Sequence, residues 1–391
     1  MHVKKMMFLC VGFGILLLVT SCAPSFEQRD EVVEENQDET SDETAIIPRY
    51  NISDENYRML IDNKLSKARG VIVNQVANRL DIDEFEEGLR RHSKEHFSTD
   101  DYYFQEGQYI SDDIVYDWLE RYSDEEQSSS NPLGLNPEIE DETSHEQQQD
   151  NPKYLSHVLE QNYLRRTEDD GVELGGVSIG IAMKSVYRYQ VEEYGDYFFE
   201  DIPQDEMLSE ANKVAKEVLQ RIREDSSLSD LSDVPVMIAI YREEDRASIV
   251  PGNFVAKTYV PADRSTIDNW ESVNEEYILF PSSTARQKYP DISTNLSDFE
   301  SDVADYFPNY VSVIGKGFYI NEQLQKLSIE IPISFNGKAE VIGFTQYVYG
   351  LVTEGFQNYY DLEINITSSG DQESLISRKA GEEEPFVHVY N

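Results

Sequence analysis

GGVSIGIAM, residues 175–183, is the stretch whose reading decides the fold class. Val177, Ile179, Ile181 and Met183 alternate with the small residues Ser178, Gly180 and Ala182, which is the two-residue period of a β-strand with one large apolar face. Downstream, Met207, Leu208, Ala211, Val214, Ala215, Val218, Leu219 and Ile222 recur at helical spacing and predict a long amphipathic helix. A strand over 236–241 follows it, and a helix over 154–164 is expected before it. The same order then recurs. Leu296, Phe299, Val303 and Tyr306 mark a helix that leads into a strand at 311–320. Asn321 and Glu322 turn the chain into a second strand with Leu327, Ile329, Ile331 and Ile333 on one face. A helix over about 339–356 and a strand carrying Leu362, Ile364 and Ile366 complete it. The expected architecture is α+β: two related repeats, each reading helix, strand or hairpin, helix, strand.

A mostly helical segment precedes the repeats. Asp81 and Glu84 form a capping-box pattern, and Ile82, Phe85, Leu89 and Phe97 fall near one face of the helix that follows. A tyrosine-rich turn at 101–109 and a short segment at 111–122 complete it. Residues 22–48 are acidic and poor in large apolar groups, so they are expected to form a disordered tether. Residues 124–152 read as a second acidic linker. The first unit is expected over 49–260 and the second repeat over 261–391.

The chain of 391 residues carries 33 Lys and Arg against 76 Asp and Glu, a formal charge of −43. Such a balance excludes nucleic acid and anionic lipid headgroups as partners. Residues 1–21 read as a secretory leader, in which Lys4 and Lys5 precede an uncharged apolar run at 6–19. Val19, Thr20, Ser21 and Cys22 spell a lipobox: cleavage between Ser21 and Cys22, with a diacylglycerol on the Cys22 thiol, would hold the chain on the outer face of the cell membrane. Cys10 lies in the leader, so the folded part has no thiol for a disulfide, a thiolate metal site or a nucleophile.

Several motifs suggest chemistry. Gly176, Val177, Ser178, Ile179 and Gly180 spell G-x-S-x-G, but a nucleophile elbow needs a sharp strand-to-helix turn, and the alternation runs straight through Ser178. His92, Ser93, Lys94, Glu95 and His96 spell H-x-x-E-H, the spacing of a zinc protease, yet Arg90, Arg91 and Lys94 disfavour a dication there. Gly315, Lys316 and Gly317 lack the spacing of a phosphate loop. No cofactor is expected. Tyr102, Tyr103, Tyr109, Tyr187 and Tyr189 are candidates for a binding surface, since tyrosine offers an apolar face with a polar tip. The competing reading packs them on the sheet or between the repeats.

The stretches NPLGLNP (131–137), NPKYLSHVLEQNYL (151–164), GGVSIGIAMKSVYRYQ (175–190), FPNYVSVIGKGFY (307–319) and KLSIEIPISFNGKAEVIGFTQYV (326–348) resemble the CamS-type sex-pheromone lipoproteins of Gram-positive bacteria. The resemblance implies a surface lipoprotein with two related repeats and no agreed biochemical activity for the mature domain. It also implies that the end of the cleaved leader yields an apolar peptide pheromone, here Ile15, Leu16, Leu17, Leu18, Val19, Thr20 and Ser21. The mature domain is then expected to be a non-enzymatic module that binds a cell-wall component or an envelope protein. The alternative is an extracellular hydrolase using acidic residues in a cleft between the repeats.

Overall fold

The structure is a computed structural model that describes residues 31–34, 44–47, 51–60, 64–69, 71, 78–124, 130–168, 171–307, 312–335 and 337–390. The leader, Cys22 and the candidate pheromone peptide lie outside the described residues. Within the expected tether, Glu31–Glu34 pairs antiparallel with Thr44–Ile47, bringing Val32 and Val33 opposite Ile46 and Ala45.

Strands β1 (Arg58–Met59), β2 (Tyr103–Glu106), β3 (Leu155–Arg166), β4 (Val172–Met183), β5 (Val236–Arg242), β6 (Asn253–Val260) and β7 (Glu271–Ser272) form one sheet in spatial order β7-β6-β5-β4-β3-β2-β1. Strands β8 (Glu275–Phe280), β9 (Ile314–Ile320), β10 (Gln323–Pro332), β11 (Asp361–Ser368), β12 (Asp371–Arg378) and β13 (Phe386–Val389) form the second in simple sequential order. From β2 to β7 the neighbours run antiparallel, antiparallel, parallel, antiparallel, antiparallel. From β8 to β13 the pattern is the same. In each repeat one helix crosses over between the two parallel strands: α4 (Gln204–Glu224) joins β4 to β5, and α7 (Lys338–Gly355) joins β10 to β11. Two helices precede each central hairpin: α2 (Asp112–Leu119) and α3 (His145–Asp150) in the first repeat, α5 (Ser283–Lys288) and α6 (Pro290–Tyr306) in the second. The duplication therefore extends to six strands and three helices per repeat.

Residues 154–164, expected as a helix, are strand β3, paired along its length with β4. Leu155, Val158, Leu159 and Tyr163 have helical spacing, but the first sheet is covered on both faces. Leu155 and Val158 join the core under α4, while Leu159 and Tyr163 face the opposite core. A strand buried on both sides loses its alternation and cannot be told from a helix by period. Both repeats therefore have a hairpin at this point.

The helical stripe of α4 is buried as expected, with Leu208 only partly so. The opposite face of the sheet is covered by α1 (Ile82–Ser93), whose N-cap Asp81 accepts a hydrogen bond from the Glu84 backbone at 3.4 Å. Phe85 and Leu89 of α1 are fully buried, as is Phe97 beyond its end, whereas Ile82 faces solvent. The second sheet is covered on one face by α6 and α7, and its strands alternate buried with open positions accordingly. At the β9–β10 turn Asn321 and Glu322 have φ of 50° and 64°, the left-handed pair of a tight hairpin.

Residues 130–150, expected as linker, fold onto the first repeat. Arg121 donates to the Pro137 carbonyl at 2.7 Å and the Asn151 carbonyl at 2.9 Å, and buried Asn136 bridges the Leu119 carbonyl and the Leu155 N–H. Polar side chains thus hold in place a stretch that has too few apolar groups to do so. The first sheet ends at Ser272 and the second begins at Glu275. Of the two residues between, Val273 donates its N–H to the Val255 carbonyl in the first sheet, and the Asn274 carbonyl accepts from Asn321 N–H in the second.

Candidate functional site

The five tyrosines singled out in the sequence do not form one exposed surface. Tyr103, Tyr187 and Tyr189 are buried, and Tyr102 and Tyr109 are partly buried against two different cores. Tyr187 stacks on Tyr189 at 5.3 Å between ring centres, its hydroxyl held by Gln148 and Arg121, while the Tyr189 hydroxyl meets His145 Nδ1 at 2.7 Å. Tyr102 packs edge-on against Phe97. These rings serve the packing of the first repeat, the competing reading of their role.

The two catalytic-looking motifs are structural. Ser178 lies in the middle of β4, fully buried, with its Oγ 2.7 Å from Ser93 Oγ on α1. The flanking glycines make room for α1 and the residues after it: a Cβ on Gly176 would sit 2.1 Å from Phe97, and one on Gly180 2.8 Å from Phe85. In the H-x-x-E-H run, His92 Nε2 lies 3.1 Å from Glu275 Oε1, Glu95 pairs with Lys257, and His96 stacks on Tyr259 at 4.1 Å. Each member of the motif already has a different partner. Among the described residues, no group of three or more His, Cys, Asp or Glu side chains is placed to hold a metal.

Where the repeats meet, acidic groups are paired. Arg91 of α1 reaches Glu84 at 3.0 Å and Glu275 at 3.1 Å, and stacks over the Phe318 ring at 4.5 Å. Burial would raise the Glu275 carboxyl, but the adjacent His92 imidazole and the Arg91 charge outweigh it and hold Glu275 below its ordinary range. The carboxylates of Glu84 and Glu275 thus share one guanidinium in an ion-pair cluster at this junction.

A buried ionisable pair stands at the carboxyl ends of the parallel strands of the first repeat. Lys184 follows β4 and Glu243 follows β5, each 1 % exposed. Burial lowers the lysine and raises the glutamic acid. Ser156 hydrogen-bonds the Glu243 carboxyl, and the Glu243 N–H is held by the Met183 carbonyl at 2.9 Å.

The cleft with binding chemistry lies instead in the second repeat, at the amino ends of β10 and β11, and measures about 640 Å³. It is built from four tyrosines, of which only Tyr359 and Tyr360 are neighbours in the sequence. Tyr289 ends α5 and is followed by Pro290, the first residue of α6. Its ring stacks on Tyr319 of β9 at 3.8 Å and 18°. Glu276 fixes both ends of this corner, accepting from the Tyr289 hydroxyl and from Lys288 Nζ at 2.7 Å. Tyr359 and Tyr360 lead into β11, and Tyr359 packs edge-on to Tyr360 at 4.9 Å and 85°. Buried Arg378 pins the loop before them by donating to the Phe356 and Gln357 carbonyls. Tyr319 and Tyr360 are each 1 % exposed, while Tyr359 is 56 % exposed. Burial raises the Tyr319 and Tyr289 hydroxyls above the ordinary phenol range and pushes Tyr360 up to about 12, so all three stay neutral. The carboxamides of Asn295, Gln323, Gln325 and Gln357 complete the wall, with Asp291 and Glu322 as its acids. The doublet Tyr359–Tyr360 was the only local signal for this site in the sequence.

The comparisons with known proteins agree with the duplicated fold. The family profile described as CamS sex pheromone cAM373 precursor matches residues 63–384. The crystal structure of a sex pheromone precursor from Lactobacillus salivarius subsp. salivarius is similar with a TM-score of 0.79 and 32 % identity, over 89 % of this chain and 99 % of that one. The C-terminal domain of the sex pheromone staph-cAM373 precursor from Staphylococcus aureus is similar with a TM-score of 0.69 and 32 % identity, over 79 % of this chain and 96 % of that one. No curated protein matches the chain. With a profile match over most of its length and two solved relatives of the same architecture, the chain belongs to the CamS family.

Proposed function

We propose that this member of the CamS family is exported, lipidated on Cys22 and held on the outer face of the membrane, where its folded part is a non-enzymatic binding module. The anchor reading rests on the leader, with its two lysines, apolar run and Val19-Thr20-Ser21-Cys22 box. Two acyl chains give a stable hold where a single one is marginal. The relatives described as sex pheromone precursors support a second product, the peptide ILLLVTS from Ile15 to Ser21.

The observation that carries the binding reading is the tyrosine-walled cleft at Tyr289, Tyr319, Tyr359 and Tyr360, whose volume falls within the range of about 300–1,000 Å³ typical of ligand sites. A cell-wall component or an envelope protein is its partner class. The test has two arms. Cys22→Ala should release the protein or leave it unprocessed, and unchanged processing and membrane retention would remove the anchor. The soluble mature chain should retain wall fragments or an envelope protein in a pull-down, and equal retention after Tyr359→Ala would remove the cleft.

A further inference from the structure

The walls of the cleft say more about its ligand than that one exists. Two of its tyrosines present themselves to solvent, and each is backed by a buried one. Half-buried Tyr289 lies flat on Tyr319, and exposed Tyr359 stands edge-on to Tyr360. A ring so supported loses little further freedom when a ligand lies on it, so the two make preformed apolar platforms.

Around them the hydrogen-bonding groups are almost all neutral. Asn295 is committed to the Gly355 carbonyl and the Gln325 amide to the Gln323 carbonyl, each at 3.0 Å. Among the described residues the side-chain amides of Gln323 and Gln357 have no such partner. The hydroxyls of Tyr319 and Tyr360 are likewise buried without a hydrogen-bond partner, an uncommon condition for polar atoms beside a cleft. The single lysine, Lys288, is neutralised by Glu276 at 2.7 Å, whereas Asp291 and Glu322 carry uncompensated negative charge. A polyanion therefore meets both a local and a global repulsion, the latter from a chain of −43.

We infer that the cleft binds a neutral amino-sugar glycan, with sugar rings laid on Tyr289 and Tyr359 and their hydroxyl and acetamido groups read by Gln323 and Gln357. The chemistry matches on each count. A hexopyranose has an apolar C–H face for an aromatic ring. Its equatorial hydroxyls and acetamido groups both donate and accept, as carboxamides do. It carries no charge to pair, and the cleft offers no free cation. This inference rests on the cleft being the ligand site proposed above.

The experiment is calorimetric titration of the soluble mature chain, with Cys22→Ala in place, using N-acetylchitotetraose as the neutral probe. Saturable binding is expected, with at least a tenfold loss of affinity for Tyr359→Ala and for Gln323→Ala, and retention within about twofold for Tyr359→Phe. Both positions are exposed, and circular dichroism verifies that each variant is folded. A poly(glycerol phosphate) or a polylysine that displaces the tetrasaccharide and itself binds in a Tyr359-dependent way would overturn the ligand class. Absence of saturable tetrasaccharide binding also overturns it. If wall fragments still bind through Tyr359 in that case, the cleft survives and only its ligand is wrong. If nothing binds through Tyr359, both readings fall.

Discussion

Arg91 and Glu275 join the two repeats: the guanidinium of the first lies 3.1 Å from a carboxylate of the second, and the Glu275 side chain has no exposed surface. Removing the arginine would strand a buried charge with only His92 beside it, which costs about 3–5 kcal/mol. Arg91→Ala is therefore expected to destabilise the chain more than Glu275→Gln, measured as the shift in urea midpoint. Because Glu275 is held below its ordinary range, its contribution is complete above the unfolded carboxylate pKa of about 4.3 and is lost as pH falls through the lower folded value. Wild type and Glu275→Gln should thus differ at neutral pH and converge in acid. A constant difference across that range would contradict the assignment.

Gly176→Ala and Ser178→Ala separate a packing role from a catalytic one. The alanine Cβ at 176 would collide with Phe97, and such overpacking costs about 1–3 kcal/mol. Ser178→Ala leaves the Ser93 hydroxyl donating to the Leu89 carbonyl at 2.7 Å, so it should cost about 1 kcal/mol or less. Denaturant melts check both values. The reverse order would show that the serine does more than fill the strand.

Lys184 and Glu243 are expected to behave as a unit. Lys184→Met alone removes the charge that partly offsets the burial of the Glu243 carboxyl and is expected to lower the urea midpoint. The double variant Lys184→Met, Glu243→Leu should recover most of that loss. A double-mutant cycle with additive effects would mean that the two groups are independent.

The paired histidines should not bind zinc. With His92 on Glu275 and His96 stacked on Tyr259, elemental analysis of purified protein is expected to show less than stoichiometric zinc, unchanged by His92→Ala. One zinc per chain, lost in that variant, would reinstate the metal reading.

Legibility in the sequence followed the number of covered faces. Strands β10 and β11 have one covered face, so Leu327, Ile329 and Ile331 alternated visibly with open positions, as did Leu362, Ile364 and Ile366. β4 was legible for a different reason: its second face is lined by Gly176, Ser178, Gly180 and Ala182, small because α1 presses on them. β3 puts large groups on both faces, so its apolar spacing is that of a helix. The packing of 130–150 escaped notice because Arg121, Asn136 and Gln148 hold it through polar contacts, which leave no periodicity. The cleft was illegible because Tyr289, Tyr319 and Tyr359 converge only through the β8–β9–β10 meander and the α7 crossover. The tyrosine clusters that are conspicuous along the chain, by contrast, are interior packing.

The two-residue step from Ser272 to Glu275 has a mechanical consequence. Val273 is tied to the first sheet and Asn274 to the second, so no slack chain separates the repeats. If the chain is lipid-held at one end and grips wall material near Tyr359 at the other, a pull between them meets no hinge between Ser272 and Glu275 that could pay out length. It would load the Arg91–Glu275 contact in shear, so that contact and the two backbone ties would carry the force from one sheet to the other.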